Sequence, residues 1–291
     1  MEAKNPAVVC NALVSFLRAQ MAARGFERCV LGLSGGIDSA VVARVAQLAL
    51  CAESQKFCEL SPSAIESVQN LPIVCVCMPS IHSSPKSLQD ARECARAFGL
   101  PLVVAALSGF ESALSALYTG CAPTGLRLGN ACARFRMTLL FDIAFAQNRI
   151  VLGTSNKSER MLGYGTIFGD LASGINPLGN LYKTDVFALA KYLQIPQSIQ
   201  QKPPSADLFD GQSDEADLGH SYALLDSILF DFLERGKNRE QLLQSYDARA
   251  VDDALRMHEK SRFKREPIPL AVVSGGDGKA ADSLGRTQYQ R

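Results

Sequence analysis

Three consecutive segments constrain the fold most tightly: the apolar run Cys29 to Leu33, a turn containing Ser34, Gly35 and Gly36, and the stretch Ser39 to Leu50, which stays apolar over the length of a helix. The order reads as strand, tight turn, helix. The alternation returns downstream. Ile73 to Met78 has the pattern of a strand, Ser87 to Phe98 of a helix, Leu102 to Ala105 of a strand, Asn130 to Gln147 of a helix and Ile150 to Leu152 of a strand. Strands that are apolar on both faces must be covered on both, and helices alternating with them supply the cover, so an α/β, doubly wound parallel sheet is expected. An amphipathic helix over 7–24, stopped by Gly25, opens the chain, and helical spacing recurs over 183–193, 220–234, 239–246 and 249–260.

Between these elements the texture changes. Residues 153–184 are dense in Gly, Ser, Thr and Asn and read as a long functional loop, and 200–219 hold prolines and acids, giving a surface loop whose acidic part is a solvated face. Part of 200–219 is a candidate lid, which would close out water. One domain is expected over 1–273. The polar, Gly-rich remainder, 274–291, has the composition of a disordered tail.

Composition narrows the partners. With 30 basic and 29 acidic side chains, net charge +1, nothing in the total attracts a nucleic acid or an anionic membrane, and no apolar stretch reaches the roughly 20 residues that span a bilayer. The nine Cys are an odd number and follow no secretion-like signal, which points to a reduced, cytoplasmic chain. Cys75 and Cys77 share one face of a strand, yet Cys is commonly a small buried hydrophobe, and the buried role is the better reading. His82, His220 and His258 are scattered without metal-binding spacing.

The turn Gly32-Leu33-Ser34-Gly35-Gly36-Ile37-Asp38-Ser39 lies where a strand meets a helix. Two glycines there let the backbone approach a ligand, amide groups at the helix start point toward negative charge, and Ser34, Ser39 and Asp38 add hydroxyls and a carboxylate. This suits a phosphate, with Asp38 able to hold a metal beside it. It is neither the Lys-containing P-loop nor GxGxxG. A capped tight turn is the competing reading for the turn taken alone. Ser274-Gly275-Gly276-Asp277 repeats the letters without an apolar helix after it and is given no role.

The Ser34 to Ser39 segment resembles the pyrophosphate-binding loop of the N-type ATP pyrophosphatases. Four further segments, Gly129 to Met137, Gly153 to Glu159, Gly163 to Asp170 and Asn176 to Thr184, and then Pro204 to Leu208, follow in the order and spacing of the NAD synthetases, so that the resemblance covers about residues 7–270. It implies an adenine nucleotide α-hydrolase-like fold and a homodimer, with the helices 7–24 and 130–147 as candidate contacts. It also implies an ATP-dependent amidation of deamido-NAD by ammonia, through an acyl-adenylate, releasing AMP and pyrophosphate.

Residue by residue, the resemblance makes Asp38 and Glu159 the Mg²⁺ ligands. Residues 32–39, Thr154, Lys183 and Ser205 become ATP contacts, Arg134, Phe263 and Lys264 substrate contacts, and Asp170 and Lys183 catalytic. Arg136, two positions from Arg134 and on another helical face, is expected to pair with an acid. His82 follows the second strand at the expected border of the adenine pocket. Three departures stand out: Phe263 replaces a usual His, Ile167 a frequent Lys, and Gly174 lies where many relatives carry an acid. Glutamine-using relatives carry an extra amidohydrolase domain, for which about 290 residues leave no room, so ammonia is the expected donor. Two rivals remain: a tRNA-modifying member of the same group, which would want a basic surface and a catalytic Cys pair, and a non-catalytic nucleotide-binding module, which would not need Asp38 and Glu159.

Overall fold

The computed structural model describes residues 4–51, 56–118, 125–205 and 212–271. In chain order the elements are α1 (Pro6–Ala23), β1 (Cys29–Gly32), α2 (Ile37–Leu50), β2 (Cys58–Leu60), β3 (Ile73–Cys77), α3 (Pro85–Phe98), β4 (Pro101–Val104), α4 (Ser108–Leu117), α5 (Gly125–Ala146) and β5 (Ile150–Leu152). Helices follow: α6 (Lys157–Leu162), α7 (Lys183–Tyr192), α8 (Gln197–Gln200), α9 (Asp214–Leu218), α10 (Tyr222–Leu233), α11 (Arg239–Leu242) and α12 (Ala248–Lys260). The strands form one sheet in the order β2-β4-β3-β1-β5, and every pairing is parallel.

Each strand sends alternate side chains to opposite faces, so its apolar run feeds two cores. Cys29, Leu31, Ile73, Cys75, Leu102 and Leu152 pack under α1, α2, α3 and α7. Val30, Val74, Val76, Val103 and Val151 pack under α4 and α5. Full burial of each such side chain is worth about 1.5–3 kcal/mol, and that burial fixes the sheet between its helical layers. A third cluster joins Leu162 and Tyr182 to α10, α11 and α12. Cys75 and Cys77 do lie on one face, in the first core, and burial pushes the Cys75 thiol far above its ordinary range.

α1 carries Cys10, Leu13, Leu17 and Met21 on its buried stripe, against α2 and α7. Its 18 residues, with mean hydropathy 1.2, are long and apolar enough to cross a membrane, which the sequence reading did not recognise. Only its four stripe residues are buried within the fold, and Val8 and Phe16 on the same helix are exposed.

The expected strands and helices are present with boundaries shifted by a few residues. Missing from the expectation were β2, a 3-10 segment at Pro62–Val68, and α4. The supposed long loop 153–184 contains α6, whose six residues are too short to show periodicity but carry a capping box between Asn156 and Glu159. The acidic face expected in 200–219 contains α9, and Asp214 there is buried rather than solvated. Residues 206–211 of the expected lid and the tail 274–291 lie outside the described residues.

Candidate active site

The carboxyl ends of β1, β3 and β5 open onto one cavity of about 770 Å³. In a parallel sheet this edge collects loops that begin at strand ends, and ligands bind there. β1 delivers Gly32, Leu33, Ser34, Gly36, Ile37, Asp38 and Ser39, and β5 delivers Thr154 and Glu159. Asp170, Lys183, Ser205 and Lys264 complete the predicted residues on its wall.

Gly35 shapes the turn without lining the cavity. Its φ is +79°, and a Cβ there would stand 2.1 Å from the Ser87 carbonyl oxygen, so no other residue fits. Around it, Ser34 Oγ accepts from the Gly36 amide at 3.2 Å and Ser39 Oγ donates to the Gly36 carbonyl at 3.0 Å.

Asp38 and Glu159 come from the first turns of α2 and α6, where the helix dipoles favour anions. Lys183 is the first residue of α7, an unfavourable place for a cation on its own. Its ammonium is compensated across the site, 2.6 Å from Asp38 Oδ2 and 3.2 Å from Glu159 Oε1. Asn156 joins the pair: its side-chain amide donates to Asp38 Oδ1 at 2.9 Å, and its backbone amide donates to Glu159 Oε2 at 3.1 Å. Burial pulls Lys183 toward neutrality, but Asp38 and Glu159 outweigh it and hold the pKa above the ordinary lysine value. Burial, reinforced by the charge of Asp38, pushes Glu159 up in spite of Lys183.

A second ring of polar contacts fixes this arrangement. Asp226 of α10 is fully buried, accepts the Ser158 hydroxyl, and accepts the Thr184 amide at 2.9 Å, while Ser158 Oγ accepts the Lys183 amide at 2.8 Å. Asp214 accepts the Tyr222 hydroxyl at 3.0 Å and adds a third carboxylate to the field around Lys183. Sequence reading missed both acids, because burial of a lone Asp in a helix leaves no local signal.

Asp170 lines the cavity and is exposed to it, and its Oδ1 accepts the Thr166 amide at 2.6 Å. Neighbouring protein strips water from this cavity-facing carboxyl and raises its pKa, against the Thr166 bonds and the charge of Lys264. Lys264 donates to the Gly163 and Gly165 carbonyls, both at 2.8 Å, and so ties the chain near α12 to the Asp170 loop.

Other predicted residues lie elsewhere. Arg134 is exposed outside the cavity wall, its Nε donating to the Ile167 carbonyl at 3.2 Å. Arg136 is on the wall, and it donates to the Met78 carbonyl at 3.0 Å instead of pairing with an acid. Phe263 is 60% exposed and also off the wall. After β3, Pro79 and Ser83 border the cavity and His82 does not. Gly174 has a packing reason: a Cβ would stand 2.5 Å from Ile150 Cγ1, so no side chain has space here.

Two carboxylates within reach of one cation, beside a turn built for phosphate, match the donor set of Mg²⁺, which takes one or two carboxylates and completes its shell with phosphate and water. Among the described residues no group of three or more His, Cys, Asp or Glu forms a cage that would hold a metal without the nucleotide.

Comparison with known proteins decides among the groups that use such a turn. The family model described as NAD synthase matches residues 9–268. The chain belongs to the NAD synthase family. The NH(3)-dependent NAD(+) synthetase of Wolinella succinogenes is 45% identical over 276 residues, covering 94% of this chain and 99% of the relative. That of Helicobacter acinonychis is 41% identical and covers 89% of this chain and 94% of the relative. Among solved structures, the NMN synthetase of Francisella tularensis superposes with a TM-score of 0.76 at 33% identity, covering 94% and 100% of the two chains. The NH3-dependent NAD synthetase of Campylobacter jejuni superposes with 0.72 at 29% identity, covering 92% and 99%.

Proposed function

We propose that this NAD synthase family member amidates deamido-NAD with ammonia at the expense of ATP. The observation that carries the reading is the convergence of the Ser34–Ser39 turn, Asp38, Glu159 and Lys183 on one cavity. A pyridine carboxylate is a poor electrophile because its leaving group would be oxide. Its oxygen attacks the α-phosphorus of ATP, the bond to the bridging oxygen breaks, and pyrophosphate departs with that electron pair. Ammonia then attacks the acyl carbon, AMP leaves, and one proton is released.

The chain supplies what these steps lack. Amides of the turn and the Ser34 and Ser39 hydroxyls bind phosphate oxygens, with Thr154 and Ser205 as further hydroxyl contacts. Asp38 and Glu159 would hold Mg²⁺, which offsets the charge of the polyphosphate when bound. Lys183, already oriented by both carboxylates, stabilises charge on the departing pyrophosphate. Asp170, with its raised pKa, takes the proton that attacking ammonia loses. Lys264 orders the Gly163–Asp170 loop around that carboxylate.

Arg134 and Phe263 contact the dinucleotide from outside this cavity, a placement that fits a pocket completed by a second subunit. Val8 and Phe16 on α1 and Phe141 and Phe145 on α5 are exposed, Phe145 at 94%, and they supply apolar surface for that homodimer. The chain works in the cytoplasm as one catalytic unit over 1–273, without nucleic acid. A second reading, amidation of the mononucleotide, is favoured by the likeness to the Francisella tularensis NMN synthetase. The test offers each deamido nucleotide separately, with ATP, Mg²⁺ and ammonium, and scores the amide and AMP formed.

A further inference from the structure

Lys183 is held by two carboxylates before any nucleotide arrives, yet pyrophosphate must leave with several negative charges. A second cation faces the same cavity. Lys202, just after α8, reaches across to the first turn of α3, where its Nζ donates to Ser87 Oγ at 2.8 Å and lies 3.4 Å from Asp90 Oδ2. The Asp90 carboxylate is 2% exposed, so the anchor is rigid, while the Lys202 side chain keeps 21% of its surface open.

That turn of α3 is also the floor of the phosphate turn. Gly35 sits so close that an added Cβ would be 2.1 Å from the Ser87 carbonyl and 3.1 Å from Asp90 Cβ. Ser34, Gly36, Ser87, Lys202 and Ser205 all line the cavity, and Ser87 links the Gly35 contact to the Lys202 contact. Ser87 and Asp90 therefore place an ammonium beside backbone that accepts phosphate. At 3.4 Å the hydrogen bond from Lys202 to Asp90 is longer than an ordinary N–H···O bond, so that ammonium is able to donate instead to a closer anion.

We propose that Lys202 is a second phosphate-binding cation, which moves its donors from Ser87 and Asp90 to the β- and γ-phosphates of ATP and stays with pyrophosphate until it is released. This rests on the assignment of the Ser34–Ser39 turn to the ATP phosphates. The role explains why the segment carrying Ser205 begins with an ion pair to a buried carboxylate: Asp90 stores the cation at the site while the phosphates are absent.

Calorimetric titration of the full chain with MgATP, magnesium pyrophosphate and AMP tests it. Lys202→Met should weaken MgATP and pyrophosphate about tenfold or more, with AMP within twofold of wild type, and Lys202→Arg should stay within about threefold for all three. A residue that only neutralises Asp90 would lower thermal stability without separating ATP from AMP. Equal weakening of all three ligands, or no change in any, overturns the proposal. Should the uncompensated buried charge of Asp90 prevent folding, Lys202→Met combined with Asp90→Asn removes both charges and is titrated instead. Ser34→Ala serves as the control: if it weakens MgATP while the Lys202 variants do not, Lys202 has no such role, and if neither does, the assignment of the turn falls with it.

Discussion

The Lys183 ammonium stands 2.6 Å from the Asp38 carboxylate across 145 positions of sequence, and the first turns of two helices meet at that pair. Neither charge is stable alone at this depth. A buried ion pair that loses one partner typically costs about 3–5 kcal/mol, because the remaining charge is uncompensated. Lys183→Met should therefore lower the melting temperature and, by removing the cation that meets pyrophosphate, reduce NAD formation by about a hundredfold or more. Mg²⁺ should stabilise this variant more than it stabilises the wild type, since the cation would replace the missing ammonium. Melting curves with and without Mg²⁺ check this, and equal shifts for the two proteins would count against it.

Gly174 and Ile150 give a packing prediction. A side chain at 174 collides with Ile150, so Gly174→Asp should be destabilising. Overpacking typically costs about 1–3 kcal/mol. Gly174→Asp combined with Ile150→Ala should recover part of that loss in chemical denaturation; a double variant no more stable than the single one would refute the collision.

Arg149 shows what was and was not legible from the chain. It is buried under the amino ends of β1 and β5 and donates to the carbonyls of Cys29, Val68, Gln69 and Leu71 and to the Gln147 side chain. Burial lowers its pKa to about 10. Arg149→Met leaves several carbonyls without donors, each worth about 1–3 kcal/mol when buried. A marked fall in melting temperature is expected with the KM for ATP unchanged, because the site is at the other end of the strands. A changed KM with normal stability would contradict this.

Sequence pattern located β1, α2, β3, α3, β4, α5 and β5 because both faces of each strand are buried and each helix has a long apolar stripe. It did not find β2, whose three residues are partly buried or exposed, or α6, which has only six residues. The motif residues Asp38, Thr154, Glu159, Asp170, Lys183, Ser205 and Lys264 do share a cavity. Asp214, Asp226, Arg149 and Lys202 were invisible, since their roles come from contacts between distant elements. Arg136 went to a carbonyl instead of an acid for the same reason: its partner, Met78, follows β3 and lies 58 positions away in sequence.

Asp231 gives a pH signature separate from the site. Burial pushes its pKa up, but bonds from Lys237 and Tyr246 and the charge of Arg235 hold it below the ordinary aspartate value. A carboxyl depressed in the folded state contributes stability above its unfolded pKa and loses it as pH falls through the folded pKa. Asp231→Asn should be less stable than wild type by about 1–3 kcal/mol at neutral pH. The difference should close progressively below about pH 4, near the unfolded aspartate pKa. A difference that is constant from pH 7 to pH 3 in urea titrations would rule out this linkage.

The central claim is the reaction. Purified protein is given ATP, Mg²⁺ and deamido-NAD with either ammonium or glutamine as nitrogen donor, and NAD and AMP are quantified together. The account predicts NAD and AMP in equal amounts with ammonium and neither with glutamine. Folded protein that forms no NAD from ammonium, or that amidates only the mononucleotide, would contradict it.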